Sequence, residues 1–531
     1  MNINLLGMSI AMAVFIAIGI IISRQIHGAE DFYVAGRRAP VLLIAGSMIA
    51  SYTSTGMFMG DAAQCYEGAF SPIVLFAGMQ SAGYIIGAVF FGRYLRRSRV
   101  MTIPEFFGDR FCSNKMRTLS AVTAIVTMTV YLLSVMQGIG TLMTVVTGLP
   151  YNTCIVLALL VFTFISVTSG SRGVLITDTL MASIFTLALV VSAFVVSKNV
   201  GGWYPALEGL ASSAETSALL SWGGKPGPLY ESGAENVIWG LTYGVVWMAV
   251  CMVGPWQSSR YQMAKSEHVV VRSSFYSALG VFILEFLAGI TAVMVCRANP
   301  SLDDSSHVMI WAAMNLMPTW LGVILLTGVL SAGISSATTF LSLIGTSVAY
   351  DVFRIQDEKK SIALGRIAMV VMSGIVLAVA LFNPPSIFWI MFLGGAIVAS
   401  SWMPVALASI FSTRVTKTGA FCGMLFGFLS CFGLRLYASF SGTSLPVYLD
   451  PSIVGMLCNI LAMVIATALT TVTEDERKAR AKLFILPDAE KDPNEMRHTL
   501  KNAKASVWIG VIVIAMLLIL WIIPYYMGLY Q

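Results

Sequence analysis

The sequence predicts an all-α, polytopic membrane protein with about fourteen transmembrane helices, and three observations carry that expectation. Of the 531 residues, 57% are hydrophobic and only 11% charged, whereas a soluble domain carries about 25% charged residues. So few charges cannot cover a water-facing surface of this size. Apolar windows near twenty residues long recur along the chain, the length needed to cross a bilayer core of about 30 Å. The basic residues fall in alternate loops between those windows.

In chain order the expected spans are 3–23, 41–62, 72–95, 119–147, 151–169, 173–196, 237–257, 274–296, 319–350, 363–383, 387–410, 419–438, 452–472 and 506–528. The first has no basic residues before it and no small-residue cleavage site after it, so it reads as a retained span and not a signal peptide. The loops set the orientation. Lys198, Lys225, Arg297 and Arg435 lie on or near one side, which leaves 28 of the 32 Lys and Arg on the other. GRYLRRSRV at 92–100 alone holds four, and 472–505 holds eight. The positive-inside rule makes those loops cytoplasmic and puts both termini outside. The expected setting is a plasma membrane, in a bacterium the inner one.

The segment 197–236 is rich in Gly, Ser and Pro and reads as an outer loop. The segment 472–505 is charged and reads as a cytoplasmic helix with a loop. No Walker A motif occurs, so ATP hydrolysis within this chain is not the expected energy source. The net charge of +6 is no nucleic-acid footprint, because its residues sit in short loops. The eight cysteines show no metal spacing and read as small core residues. The four His (His27, His268, His307, His498) lie in loops or at interfaces, so a histidine proton relay inside the membrane is not expected.

Polar groups break the apolar pattern at four places. Span 2 reads AGSMIASYTSTGMFMGDAA at 45–63. The hydroxyls of Ser47, Ser51, Tyr52, Thr53, Ser54 and Thr55 compete for backbone partners and Gly56 and Gly60 add freedom, so the helix is expected to break in its middle, ahead of Asp61. A broken helix at membrane depth frees carbonyls for a cation and amides for an anion. The competing reading is a small-residue packing face. Span 9 carries SAGISSATTF at 331–340. Ala332, Ser335 and Ser336 share one helix face; Ser335, Thr338 and Thr339 share nearly the same face one turn, about 5 Å, further on. The oxygens suit a hard monovalent cation, although hydroxyls in membrane helices also bond to their own backbone. Asp178 in span 6 is a costly intramembrane carboxylate, paired with Arg172 or with a cation near Thr338 and Thr339. Counted from the helix end, it lies about 9 Å from the cytoplasmic face, and Thr338 lies deeper unless span 9 overhangs. The last place is Glu285 in span 8 with Asp61 in the outer half of span 2. Asp61 would suit a solute carrying an amine.

Together these pieces resemble the sodium:solute symporters, the family of the sodium–glucose, proline and pantothenate cotransporters. The pieces are DFYVAGRRAP (31–40), ASYTSTGMFMG (50–60), TIPEFFGDRF (102–111), GSRGVLITD (170–178) and SAGISSATTF with Asp351 following. The resemblance spans roughly 1–440. It implies a leucine-transporter-type core of two inverted five-helix repeats. The chain then divides into span 1 and its loop (1–40), a first repeat (41–196), the outer loop (197–236), a second repeat (237–412) and peripheral helices (413–531).

The resemblance also implies a first sodium site formed by the carbonyls of Ala50, Thr53 and Ala332 with the hydroxyls of Ser335 and Ser336. A second, found in some members, maps to Asp178, Ser335, Thr338 and Thr339. Some relatives carry an acidic residue where this chain has Tyr52.

The implied function is sodium-coupled secondary active symport, importing a small organic solute by alternating access with one or two Na+ per solute. Carboxylates, vitamins, amino acids and sugars are all candidate solutes. The expected solute contacts are Thr55, Met57, Asp61, Gln80, Gln137, Tyr243 and Trp247. A transporter-fold membrane sensor without net transport is the alternative, and the lack of a signalling domain argues against it. An intramembrane enzyme would need paired catalytic groups such as His with Asp, and none is evident.

Overall fold

In the computed structural model, residues 3–23, 28–227, 230–382, 387–443 and 445–529 are described. His27 and the side chain of Arg172 lie outside the described residues. Twelve helices among the described residues are long and apolar enough to cross a membrane. Two further apolar helices, Ile3–Ser23 and Val41–Tyr52, complete the set. The expected spans fall on these elements. Spans 5 and 6 occupy one unbroken helical run, Tyr151–Asn199.

Several helices extend beyond the apolar windows because polar caps take up the free amides at their starts. Ser113 accepts from Met116 N ahead of Asn114–Thr147, and Ser266 accepts from Val269 N ahead of Glu267–Ala298. The ninth span runs as Thr319–Thr346 and continues through a wider helical turn, Ser347–Val352.

Span 2 is broken. The helix Val41–Tyr52 stops at Thr53, whose backbone is extended (φ −67°, ψ 102°). Ser54 Oγ then accepts from Gly56 N at 3.1 Å and starts the second half. Hydroxyl groups here replace the helical ladder, as the sequence expectation requires. Neighbouring helices approach the break closely through glycine. A Cβ at Gly138 would lie 2.5 Å from Thr55 Cβ, and one at Gly333 would lie 2.9 Å from Thr55 Cγ2. The second half runs on through Gly56–Ser98, turning at Gly68, whose φ of +124° suits only glycine.

Three pieces of the resemblance, DFYVAGRRAP, TIPEFFGDRF and Asp351, lie at one end of the bundle. Ala39 N donates to Met263 O and Lys265 N to Ala39 O. Arg37 Nη2 donates to the carbonyls of Arg99 and Val100 at 2.6 and 3.0 Å. Thr102 Oγ1 and Arg117 Nε both donate to Asp351 Oδ1, at 2.7 and 2.9 Å. Residues 249 positions apart are thereby tied by one carboxylate.

The outer segment is more ordered than a loop. It contains the helix Trp203–Ser212, and Trp203 Nε1 donates to Leu520 O at 3.0 Å on the last span. The charged segment contains Glu474–Lys482, opened by a capping box of Thr473 and Glu476. Arg110, beside it, donates to the carbonyls of Ser409 and Glu476. Burial lowers its guanidinium pKa to about 10, and the neighbouring Arg480 adds to the effect.

Candidate functional site

Two polar clusters occupy the interior, one on each side of the break in span 2. The first is built around Asp178, which is fully buried. Its carboxylate accepts from Ser47 Oγ and Ser335 Oγ, each at 2.6 Å. Arg260 Nη2 donates to Asp178 Oδ2 at 2.8 Å and to Thr339 Oγ1 at 2.9 Å, while Arg260 Nε donates to Ser47 Oγ at 3.0 Å. The guanidinium also reaches Trp256 O and Ser259 Oγ. One planar fork thus joins span 2, span 6, span 9 and the short helix Pro255–Met263. Thr338 Oγ1 instead donates to Ser335 O at 3.0 Å, a bond within its own helix.

Of the second-site residues, Asp178, Ser335 and Thr339 are therefore gathered, and a protein cation joins them. Arg260 and Ser47 are absent from the sequence expectation. Arg260 reads as one more basic residue in an inner loop, yet it is only 2% exposed. Its signal is weak: a lone Arg in PWQSSRYQM, directly after an apolar span. Depth no longer separates the partners, because the side chain of Arg260 bridges Asp178 and Thr339.

Of the first-site residues, Ala50 and Thr53 lie at the end of the first half of span 2, and Ala332, Ser335 and Ser336 are buried in span 9. Gly333 lies against Thr55 across the interface, and Ser336 is one turn further along the same face, whereas Ser335 turns to Asp178. The hydroxyls of Ser336 and Thr53 are fully buried, and among the described residues neither has a hydrogen-bond partner. A buried, unsatisfied hydroxyl costs about 1–3 kcal/mol, a cost that a bound ligand at the break would relieve.

The second cluster holds most of the expected solute contacts. Tyr243 OH donates to Asp61 Oδ1 at 2.8 Å, and Tyr52 OH donates to Glu285 Oε2 at 3.0 Å. The carboxyl groups of Asp61 and Glu285 face each other, and the Gln80 amide lies against Glu285. Trp247 packs edge-on to Tyr52 and Tyr243, with ring centroids 5.6 and 6.1 Å apart. Thr55 turns to the neighbouring helix and donates to Val135 O at 3.2 Å. Met57 and Gln137 are buried nearby in sequence terms, on the second half of span 2 and on the helix that carries Val135.

The sequence model of the sodium:solute symporter family matches residues 32–427. The chain belongs to the sodium:solute symporter family. Among its curated relatives, the sodium/proline symporter of Salmonella typhimurium (strain LT2) is 25% identical over 438 residues, covering 78% of this chain and 84% of the relative. The sodium/proline symporter of Escherichia coli (strain K12) is 25% identical over 441 residues with the same coverages. Among solved structures, a Na+-coupled sialic acid symporter in a substrate-bound, outward-open state aligns with a TM-score of 0.74. It is 16% identical and covers 88% of this chain and 98% of its own. A nucleobase-cation-symport-1 family transporter, closed with bromovinylhydantoin bound, gives a TM-score of 0.53 at 13% identity, covering 85% and 98%.

The symporter accordingly has the leucine-transporter-type inverted-repeat architecture expected from its motifs. It is an integral membrane transporter and not an enzyme, and sodium is its coupling ion.

Proposed function

We propose that this symporter imports a small organic solute by alternating access, with one sodium bound at the break in span 2. The ligands are the carbonyls of Ala50, Thr53 and Ala332 and the hydroxyls of Ser335 and Ser336. The observation that carries this assignment is the unpartnered, buried hydroxyl of Ser336, one turn from the contact between Gly333 and Thr55. Sodium entering there ties span 9 to the first half of span 2 and completes the solute pocket in the second half. The solute contacts Asp61, Gln80, Tyr243 and Trp247, with Thr55, Met57 and Gln137 around them.

The single sodium follows from Arg260. Asp178, Ser335 and Thr339 already surround a guanidinium, and a second cation beside it meets direct repulsion. Sodium reaches Asp178, Ser335, Thr338 and Thr339 only after Arg260 withdraws, so this cluster serves as a station on the way inward. A cavity lined by Thr102, Ser259, Gln262, Thr346 and Ser347 lies beyond it, on the side of the basic loops. The termini then face outside, and the setting is a bacterial inner membrane.

The driving force is adequate for one ion. A potential supplies about 2.3 kcal/mol per charge per 100 mV, and a tenfold gradient adds about 1.4 kcal/mol. Together they support roughly 500-fold accumulation of a neutral solute.

The test is thermal denaturation of the purified protein in sodium, lithium and potassium. Sodium should raise the melting temperature, and potassium should not. Equal melting in sodium and potassium sinks the site. Counterflow of labelled solute in proteoliposomes separates a carrier from a sensor, since a sensor gives no exchange.

A further inference from the structure

We infer that the solute is an organic ammonium, held by the paired carboxyl groups of Asp61 and Glu285 beside an aromatic cluster. This rests on the reading of the second cluster as the solute site.

The argument begins with charge. Asp61 and Glu285 are 2% and 1% exposed, and they face each other. Among the described residues neither forms an ion pair; the groups that act on them are Tyr243, Tyr52 and Gln80, all neutral. Arg260, the basic group of the bundle interior described above, is spent on Asp178. The two carboxyl groups hydrogen-bond to each other and so hold one proton between them; the negative charge that remains has no counter-charge at membrane depth, and a bound cation is the direct relief. An anionic solute meets repulsion there, and a neutral one leaves the cost in place.

The surroundings then select an organic cation over a bare metal ion. Trp239 stacks on Tyr243 with centroids 5.0 Å apart, and Phe388 lies 5.3 Å from Tyr243. Phe76 is 4.4 Å from Tyr243 and Trp247 6.1 Å, so the rings cluster around the tyrosine that bonds Asp61. Aromatic faces attract ammonium groups and accommodate their alkyl substituents. Polar groups beside the cluster are unfinished. Gln80 lays its amide N–H against Glu285, while its Oε1 and the indole N–H of Trp239 are buried without hydrogen-bond partners among the described residues. Gln80 Oε1 can accept from an ammonium N–H beside Glu285. These orphan groups point to a missing polar ligand, which an acidic pair alone does not.

The test uses the full-length protein in detergent, with and without sodium. The probes are n-butylammonium, tetramethylammonium and the 1,4-butanediammonium dication, against n-butanol and butyrate as neutral and anionic controls. Ammonium probes should raise the melting temperature and the controls should not. Asp61→Asn and Glu285→Gln should each weaken ammonium binding about tenfold or more, while the sodium shift persists as evidence of a folded protein.

Butanol or butyrate binding as well as the ammonium probes overturns the assignment. So does a sodium shift in wild type with no response to any ammonium probe. Loss of the sodium shift in Asp61→Asn with ammonium binding intact also overturns it, by giving the carboxyl pair to sodium. Ammonium binding that needs Asp61 but ignores sodium supports the assignment while sinking the coupling reading, so the two failures are distinct.

Discussion

Arg260 places one guanidinium nitrogen 2.8 Å from Asp178 and 2.9 Å from Thr339, closing a buried ion pair between elements 82 positions apart in the chain. The pair is sealed from solvent, at 2% and 0% exposure. Removing either partner leaves a buried charge uncompensated, which costs about 3–5 kcal/mol. Asp178→Asn and Arg260→Met should each lower thermal stability strongly. The double variant should recover part of that loss, and a double-mutant cycle reads the coupling. Additive losses refute the pairing. Arg260→Lys should not restore stability, because a point charge cannot hold Asp178, Thr339 and Ser47 together.

The same pair bears on stoichiometry. With Arg260 seated, one sodium should accompany each solute, measured as the ratio of labelled sodium to labelled solute taken up in proteoliposomes. A ratio of two contradicts the role given to Arg260 here.

Ser336 has a buried hydroxyl with no partner among the described residues. Ser336→Ala should raise the sodium concentration for half-maximal stabilisation about tenfold, the loss of about 1.4 kcal/mol of binding. Ser342, on the same helix, also has an unpartnered hydroxyl but lies outside the proposed ligand set. Ser342→Ala is the control and should leave sodium dependence unchanged. Equal effects of the two substitutions count against the site.

Gly138 touches the break in span 2, where an added Cβ falls 2.5 Å from Thr55 Cβ. The neighbour is a branched carbon on a constrained turn and cannot simply swing aside. Gly138→Ala should destabilise by about 1–3 kcal/mol and weaken sodium binding with it, because the break must shift. Gly148, on the same segment, has open space around it, but its positive φ makes it a poor control. Gly78 and Gly374 have open space without that constraint, and Gly374→Ala should leave sodium binding untouched.

Asp351 holds Thr102 and Arg117 together at the end of the bundle where the basic loops gather. Asp351→Asn removes the charge from both bonds. It should loosen that end and speed labelling of a Ser347→Cys reporter by a membrane-impermeant maleimide about tenfold. An unchanged labelling rate means that this contact is no gate.

The sequence by itself determined the membrane architecture. Its apolar windows set the helices, because hydrocarbon permits no unsatisfied backbone and only helices of sufficient length cross it. The run SYTSTG determined the break near Thr53, since its local chemistry cannot sustain a regular helix. The hydroxyl spacing of span 9 marked Ser335 and Ser336 as neighbours, because helical periodicity is local.

Only the tertiary structure decided which charges meet. Arg260 looks like a loop residue until the helix Pro255–Met263 folds under the bundle and carries it to Asp178. Thr338 and Thr339 are adjacent in sequence, yet one bonds its own backbone and the other accepts from Arg260. Asp61 and Glu285 come from spans 2 and 8, and no periodicity links them. Their meeting depends on how helices pack, a property of the whole bundle that no single stretch of chain encodes.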